Sequence, residues 1–229
     1  MKLSNHQIIK SSNFQIVILI LITSQFCFAQ KDTSSHGSKI EIGLNIGYAM
    51  PLAGGDFGKY YGGTAMYDFS IGYKINSSYS VHIGCGYSML PLSKLNNYVI
   101  DKADRLLVNS PPYTDLTGGN IRVIAISAEL QKTFNINSKT NIGVLAGPSF
   151  NFLEKSPVDA SDSDGTYQIL EHYVHEKPLG VNIGSRIDYS LTKTIALDFS
   201  LKYKMLFTSF VTDKSIGILA LQAGIVLKL

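Results

Sequence analysis

From Ile195 to Met205 the chain alternates strictly. Ile195, Leu197, Phe199, Leu201, Tyr203 and Met205 share one phase, and Ala196, Asp198, Ser200, Lys202 and Lys204 share the other. Successive side chains of a strand point to opposite faces, so this segment reads as a strand with one bulky apolar face and one small or charged face. The same period-two pattern recurs over residues 39–50, 64–75, 79–90, 120–134, 139–152, 178–190, 194–207 and 216–229. Most of these segments exceed the usual strand length of soluble proteins and are long enough for a tilted membrane crossing.

Two segments are less regular. Lys132 falls on the apolar phase near the end of the fourth, and Pro148 interrupts the fifth, which predicts a bulge or locally unpaired backbone there. The connections alternate in length. Residues 76–78, 135–138 and 191–193 are tight turns, whereas 51–63, 91–119 and 153–177 are long and rich in Gly, Pro, Asp, Ser and Asn; 208–215 is intermediate. An even number of up-and-down strands puts every short turn on one rim and every longer loop on the other. The predicted fold is therefore all-β, an eight-stranded antiparallel up-and-down transmembrane β-barrel.

A soluble barrel of the lipocalin kind would show the same periodicity with its apolar phase inward. Residue size separates the two. The apolar phase holds bulky Ile, Leu, Phe and Tyr, and the other phase is crowded with Gly, Ala and Ser. An eight-stranded barrel has an interior just wide enough to be filled by side chains, so small residues with a few charges fit inside and eight bulky rows do not. Tyr48, Tyr67, Tyr87, Phe150, Phe152, Tyr189 and Phe207 lie near strand ends, where interfacial aromatic girdles belong.

Residues 1–29 read as a cleaved signal peptide, with Lys2 and Lys10 before an apolar run and Cys27-Phe28-Ala29 at its end. Residues 30–229 then form one barrel domain. Its expected location is the cell outer membrane. The whole chain carries a formal net charge of +3, two of whose basic residues lie in the leader, and that balance excludes a general nucleic-acid binder. Of the two cysteines only Cys85 lies beyond the leader, so no intrachain disulfide is expected.

Export signal, eight long amphipathic strands and alternating loop lengths together resemble the small outer-membrane β-barrel family of Gram-negative bacteria, the porin-like group with OmpA-like barrels. The ending Ile216 to Leu229, with Leu221, Ala223, Ile225, Leu227 and Leu229 in phase, is similar to the terminal strand such barrels present to the barrel-assembly machinery. The resemblance implies outer-membrane lipid and lipopolysaccharide as surroundings.

Chemistry concentrates on the polar phase: Glu41, Asp68, Lys74, Glu129, Arg186, Asp188, Asp198, Lys202 and Lys204. In a narrow lumen these groups are desolvated and should pair. If the 191–193 turn pairs residues summing to 384, Arg186 faces Asp198. Glu41 and Lys228 both point inward near the periplasmic rim and are expected to meet where the first and last strands close the barrel. Such pairing plugs the lumen and implies a structural or surface-interaction role; the alternative is a narrow porin-like channel for ions or small solutes. No cofactor or metal site is expected. Residues 160–171 have EF-hand-like spacing but place Ala160 at the first ligand position, and His172 and His175 lack a third spaced ligand. His82 is the one strand histidine on the inward phase, without an evident catalytic partner, so no enzymatic activity is expected. The glycine- and aromatic-rich residues 54–63 and the segment 109–113 are candidates for contacting a surface ligand.

Overall fold

A computed structural model describes residues 39–52, 55–94, 113–162, 167–208 and 215–229. The leader, residues 109–112 of the candidate ligand-contacting segment and residues 163–166 of the EF-hand-like segment lie outside these residues. Eight long strands form the barrel: β1 (Ile40–Pro51), β2 (Thr64–Lys74), β3 (Tyr79–Leu90), β5 (Ile121–Asn135), β6 (Thr140–Lys155), β10 (Leu179–Ser190), β11 (Ile195–Leu206) and β12 (Ile216–Lys228). Each pairs antiparallel with its neighbours, and β6 pairs with β10 and β12 with β1 to close the ring. Closure leaves the barrel strands no unpaired edge, which is the condition for a sheet in hydrocarbon.

The two phases face as residue size predicts. Leu44, Ile83 and Leu221 are 63, 61 and 58% exposed on the outside, whereas Asp198 and Gln222 are 3 and 2% exposed in the lumen. A continuous apolar belt of this extent is far larger than a soluble surface carries and needs a lipid cover. No helix among the described residues is long and apolar enough to cross a membrane, so the strands are the spanning elements. Lys132 lies on the outer face as its phase requires, with its ammonium over the rings of Phe134 and Tyr79, 5.2 and 5.9 Å from their centroids. Its stem thus stays on the apolar surface and its charge reaches the rim.

Sequence expectations change at two points, the β10–β11 register and the long loops. The β10–β11 register pairs Asp188 with Asp198 and Arg186 with Ser200, two residues away from the predicted pairing. Pro148 gives the locally unpaired backbone, not the bulge: the β5–β6 ladder skips the positions opposite Gly147 and Pro148 and resumes with its register unchanged. The long loops are also more structured than their composition suggests. The first carries a short helix, α1 (Gly55–Tyr60), and the others supply β4 (Tyr113–Gly118), β7 (Val158–Asp162) and β8 (Tyr167–Glu171), which form a separate three-stranded sheet. A short strand, β9 (Val174–Glu176), extends the β6 edge above the barrel. Gly118 and Gly119, at φ 92° and 73°, turn the chain from β4 into β5. A Cβ on Gly118 would lie 1.9 Å from the Pro157 carbonyl oxygen, so only glycine fits this turn.

Candidate functional site

The lumen has two storeys. The one nearer the short turns is polar, and its charged groups come from inward positions of five strands. Lys74 pairs with Glu41 at 3.0 Å at the rim. Deeper in, Arg186 donates from Nε to Asp188 Oδ1 at 2.8 Å and lies 3.3 Å from Asp198 Oδ1; its Nη1 donates to Gln131 Oε1 at 3.4 Å. Asn45 donates to the other Asp198 oxygen at 2.9 Å. Towards mid-barrel, Lys202 pairs with Glu129 at 3.1 Å, Asn182 donates to the second Glu129 oxygen at 2.9 Å, and Lys204 lies 3.7 Å from Asp68.

All nine charged residues expected in the lumen therefore enter ion pairs with one another. Arg186 reaches Asp198 diagonally despite the changed register. Glu41 and Lys228 are cross-strand partners in register, yet they do not pair electrostatically: Glu41 takes Lys74, and Lys228 donates to Ser190 at 2.9 Å. Both outcomes have one cause, because barrel shear offsets side chains along the strand and long cations choose the diagonal neighbour.

Inward glycines make the crossing possible. A Cβ on Gly72 would sit 2.5 Å from the His82 ring, and one on Gly143 would sit 2.7 Å from the Gln131 amide. Each glycine leaves the volume that a long polar side chain from the adjacent strand fills. His82 is buried against Gly72 and shares a 2.9 Å hydrogen bond with Ser80. That Ser80–His82 contact was legible as an i, i+2 pair on one face, although neither residue reaches solvent.

The storey nearer the long loops is largely apolar, with Lys155 and Thr208 the buried polar side chains at the same strand ends, and sequence reasoning missed it. Phe57 and Tyr60 of α1 are 0 and 1% exposed, and with Tyr61 they pack on Leu90, Ile121, Leu153, Val158, Leu206, Ile216 and Ile218. Phe57 and Tyr61 stack at 5.3 Å between centroids. The loop is tied down by Gly62 donating to the Pro91 carbonyl at 2.8 Å and Lys94 to the Tyr60 carbonyl at 3.1 Å. Burial pushes the Tyr61 phenol above its ordinary value. The available signal lay at the strand ends: Leu90, Ile121, Val123 and Leu206 are bulky residues on the otherwise polar phase. Between the storeys, Met66, Ser88, Ala125 and Lys204 border a cavity of only about 10 Å³, room for about one water.

The EF-hand-like acidic loop lies partly outside the described residues. His172 and His175 are exposed, and among the described residues no group of three metal-ligating side chains assembles.

A family model described as "Outer membrane protein beta-barrel domain" matches residues 17–228. No curated protein matches the sequence. Among solved structures, Neisserial surface protein A is 16% identical, covering 83% of this chain and 97% of its own, at a TM-score of 0.49. The outer membrane protein OprG from Pseudomonas aeruginosa is 10% identical over 84% and 96%, at 0.48. The attachment invasion locus protein Ail of Yersinia pestis is 13% identical over 82% and 99%, at 0.43.

Proposed function

The chain belongs to the outer membrane protein β-barrel domain family and resides in the outer membrane, and we propose that it acts there as a sealed, non-catalytic barrel that anchors and presents its long-loop surface. In such barrels short turns face the periplasm and longer loops face outward. On that orientation α1, β4, β7, β8 and β9 are the exposed face, while the spanning strands carry no solute.

One observation carries the reading: two chemically different plugs block the same lumen in series. The charged storey is closed by paired side chains, and the apolar storey is closed by Phe57 and Tyr60. An ion entering the first would have to displace a buried salt bridge and leave its partners unpaired in the narrow lumen. An ion entering the second would meet the packed rings of Phe57 and Tyr60. The buried charges also favour the competing reading, a narrow ion path, because they are the groups such a path would use. Insertion through the assembly machinery would use β12, whose Leu221, Ile225 and Leu227 face lipid.

Proteoliposomes test the reading. Vesicles holding the purified barrel should resist osmotic swelling in small sugars and salts as well as protein-free vesicles do. Swelling at rates typical of a general porin would end the sealed reading and establish the channel.

A further inference from the structure

The mouth of the barrel at the short turns carries charge that the lumen network does not use. Lys39 and Lys74 continue the inward phases of β1 and β2. Lys74 donates its backbone N–H to the Lys39 carbonyl at 2.8 Å, which sets the two residues directly opposite each other. Like charges in that relation are destabilising. Lys228, the register partner of Glu41, adds a cation on the next strand, with its ammonium on the Ser190 hydroxyl at 2.9 Å. Lys193 precedes Thr194, whose carbonyl takes the Lys228 N–H at 2.8 Å, and the Lys139 carbonyl takes the Ser190 N–H at 2.7 Å. Lysines therefore follow one another around the mouth along the neighbouring strands β2, β1, β12, β11, β10 and β6. At the ordinary interstrand spacing this arc is roughly 24 Å long.

Among the described residues, no acidic side chain at the mouth is left to match them. Glu41 and Asp188 are 5 and 6% exposed and already bound, Glu41 to Lys74 and Asp188 to Arg186. Lys39, Lys139 and Lys193 are exposed and enter no ion pair with the described residues. The other end of the molecule has the reverse balance, because the longer connections 51–63, 91–119, 153–177 and 208–215 together hold more acidic than basic residues. A barrel charged in this way draws anions to its short-turn end.

We infer that this mouth docks a carboxylate-bearing polymer of the periplasm, the peptide-bearing glycan of the cell wall, and so ties the barrel to that layer. On the orientation proposed above, which this docking requires, the short turns face the periplasm. Three observations favour the occupant. Lysines on the inward phase face along the barrel axis, away from the lipid around the outer wall. Lys132, on the outer phase with its ammonium over Phe134 and Tyr79, is by contrast the rim lysine placed for headgroups. Beside the inward lysines stand the polar Asn141, Ser190 and Thr194, while the turn aliphatics Ile136 and Leu191 continue the outer phase. A folded protein partner would need an apolar or aromatic core at its contact, whereas a hydrated, extended polyanion needs none. Finally, the arc is built from lysine and not arginine. Point charges on flexible stems suit many carboxylates spaced along a chain, where an arginine fork suits one planar anion.

Co-sedimentation of the full, folded barrel in detergent with purified peptidoglycan sacculi tests the assignment. Sacculi with amidated carboxylates and polyglutamate on beads are the comparison matrices, and heat-modifiable gel migration verifies folding of each variant. The wild type should pellet with untreated sacculi at low salt and be released as salt rises to about 0.5 M. Amidation of the sacculi should weaken binding on the order of tenfold, and so should Lys39→Gln/Lys139→Gln/Lys193→Gln, which removes three cations that the fold leaves unpaired. Lys139→Gln/Lys193→Gln, confined to the turns, decides the matter if the triple variant does not fold. Lys132→Gln, on the outer wall, should lose nothing. Binding indifferent to amidation, an equal loss in Lys132→Gln, or capture by polyglutamate without capture by sacculi, which would point to an acidic protein, would each overturn the proposal. Osmotic swelling reads the lumen and sedimentation reads the mouth, so the sealed reading and this docking can fail separately.

Discussion

The two storeys of the lumen are filled by opposite means. Near the short turns, the filling groups among the described residues come from the strands themselves, and inward glycines make room for Arg186, Gln131 and His82 to cross. Near the long loops, the plug is brought in from outside the strands, as α1 inserts Phe57 and Tyr60 among strand-end aliphatics. The first plug is cooperative with the barrel and cannot leave without unfolding it. The second is a loop segment held by side-chain burial and a few backbone hydrogen bonds, so it opens locally at far lower cost. A polar lumen therefore gives permanence, and an apolar cap gives a closure that can in principle be removed alone.

Substitutions at the centre of each plug should expose that asymmetry. Arg186→Met leaves Asp188 and Asp198, direct cross-strand partners, facing each other with their shared cation gone. The expected cost is about 3–5 kcal/mol of barrel stability, read as a lower urea midpoint of the heat-modifiable band. Adding Asp188→Asn should recover much of it, and an additive double variant would show that the three residues are not one unit. Phe57→Ala should cost less, about 3 kcal/mol at most, because α1 can detach instead of dragging the barrel with it. Its signature is faster proteolysis within residues 51–63 with an unchanged barrel midpoint.

The smallest effect separates the storeys by pH. Burial raises the Tyr61 phenol, so its neutral form is the one the folded upper plug prefers. Its contribution is complete below the unfolded value of about pH 10 and is lost as pH rises beyond it, by about 1 kcal/mol per pH unit. The amide protection of α1, corrected for base-catalysed intrinsic exchange, should fall in that alkaline range for the wild type and hold for Tyr61→Phe. An equal loss of protection in both would remove Tyr61 from the plug.

Period-two patterning carried most of the fold into view. Strand number, the outward face and the inward charged set followed from residue size against the volume of an eight-stranded lumen. Cross-strand register did not follow. The 191–193 turn admits pairings two residues apart that keep every side chain on the same face, so alternation is blind to the difference. Ion partners were consequently legible as a set and not as pairs: Glu41 meets Lys74 and not Lys228. The apolar storey was hidden for another reason. Phe57 and Tyr60 sit in a glycine-rich loop whose local sequence says only that the backbone is adaptable, and their burial depends on strand ends distant in the chain. Leu90, Ile121 and Leu206 on the polar phase are the trace that such a cap leaves in strand sequence.

Single-channel recording across planar bilayers tests the central claim most directly, because the two plugs in series make a specific pattern. The wild type and Phe57→Ala should both show no stable open level, since removing the apolar cap leaves the charged storey closed. Only a variant that also empties the charged storey, Phe57→Ala with Glu129→Ala, Lys202→Ala, Arg186→Ala and Asp198→Ala, should admit ions. Stable ohmic openings of the wild-type barrel would contradict the account.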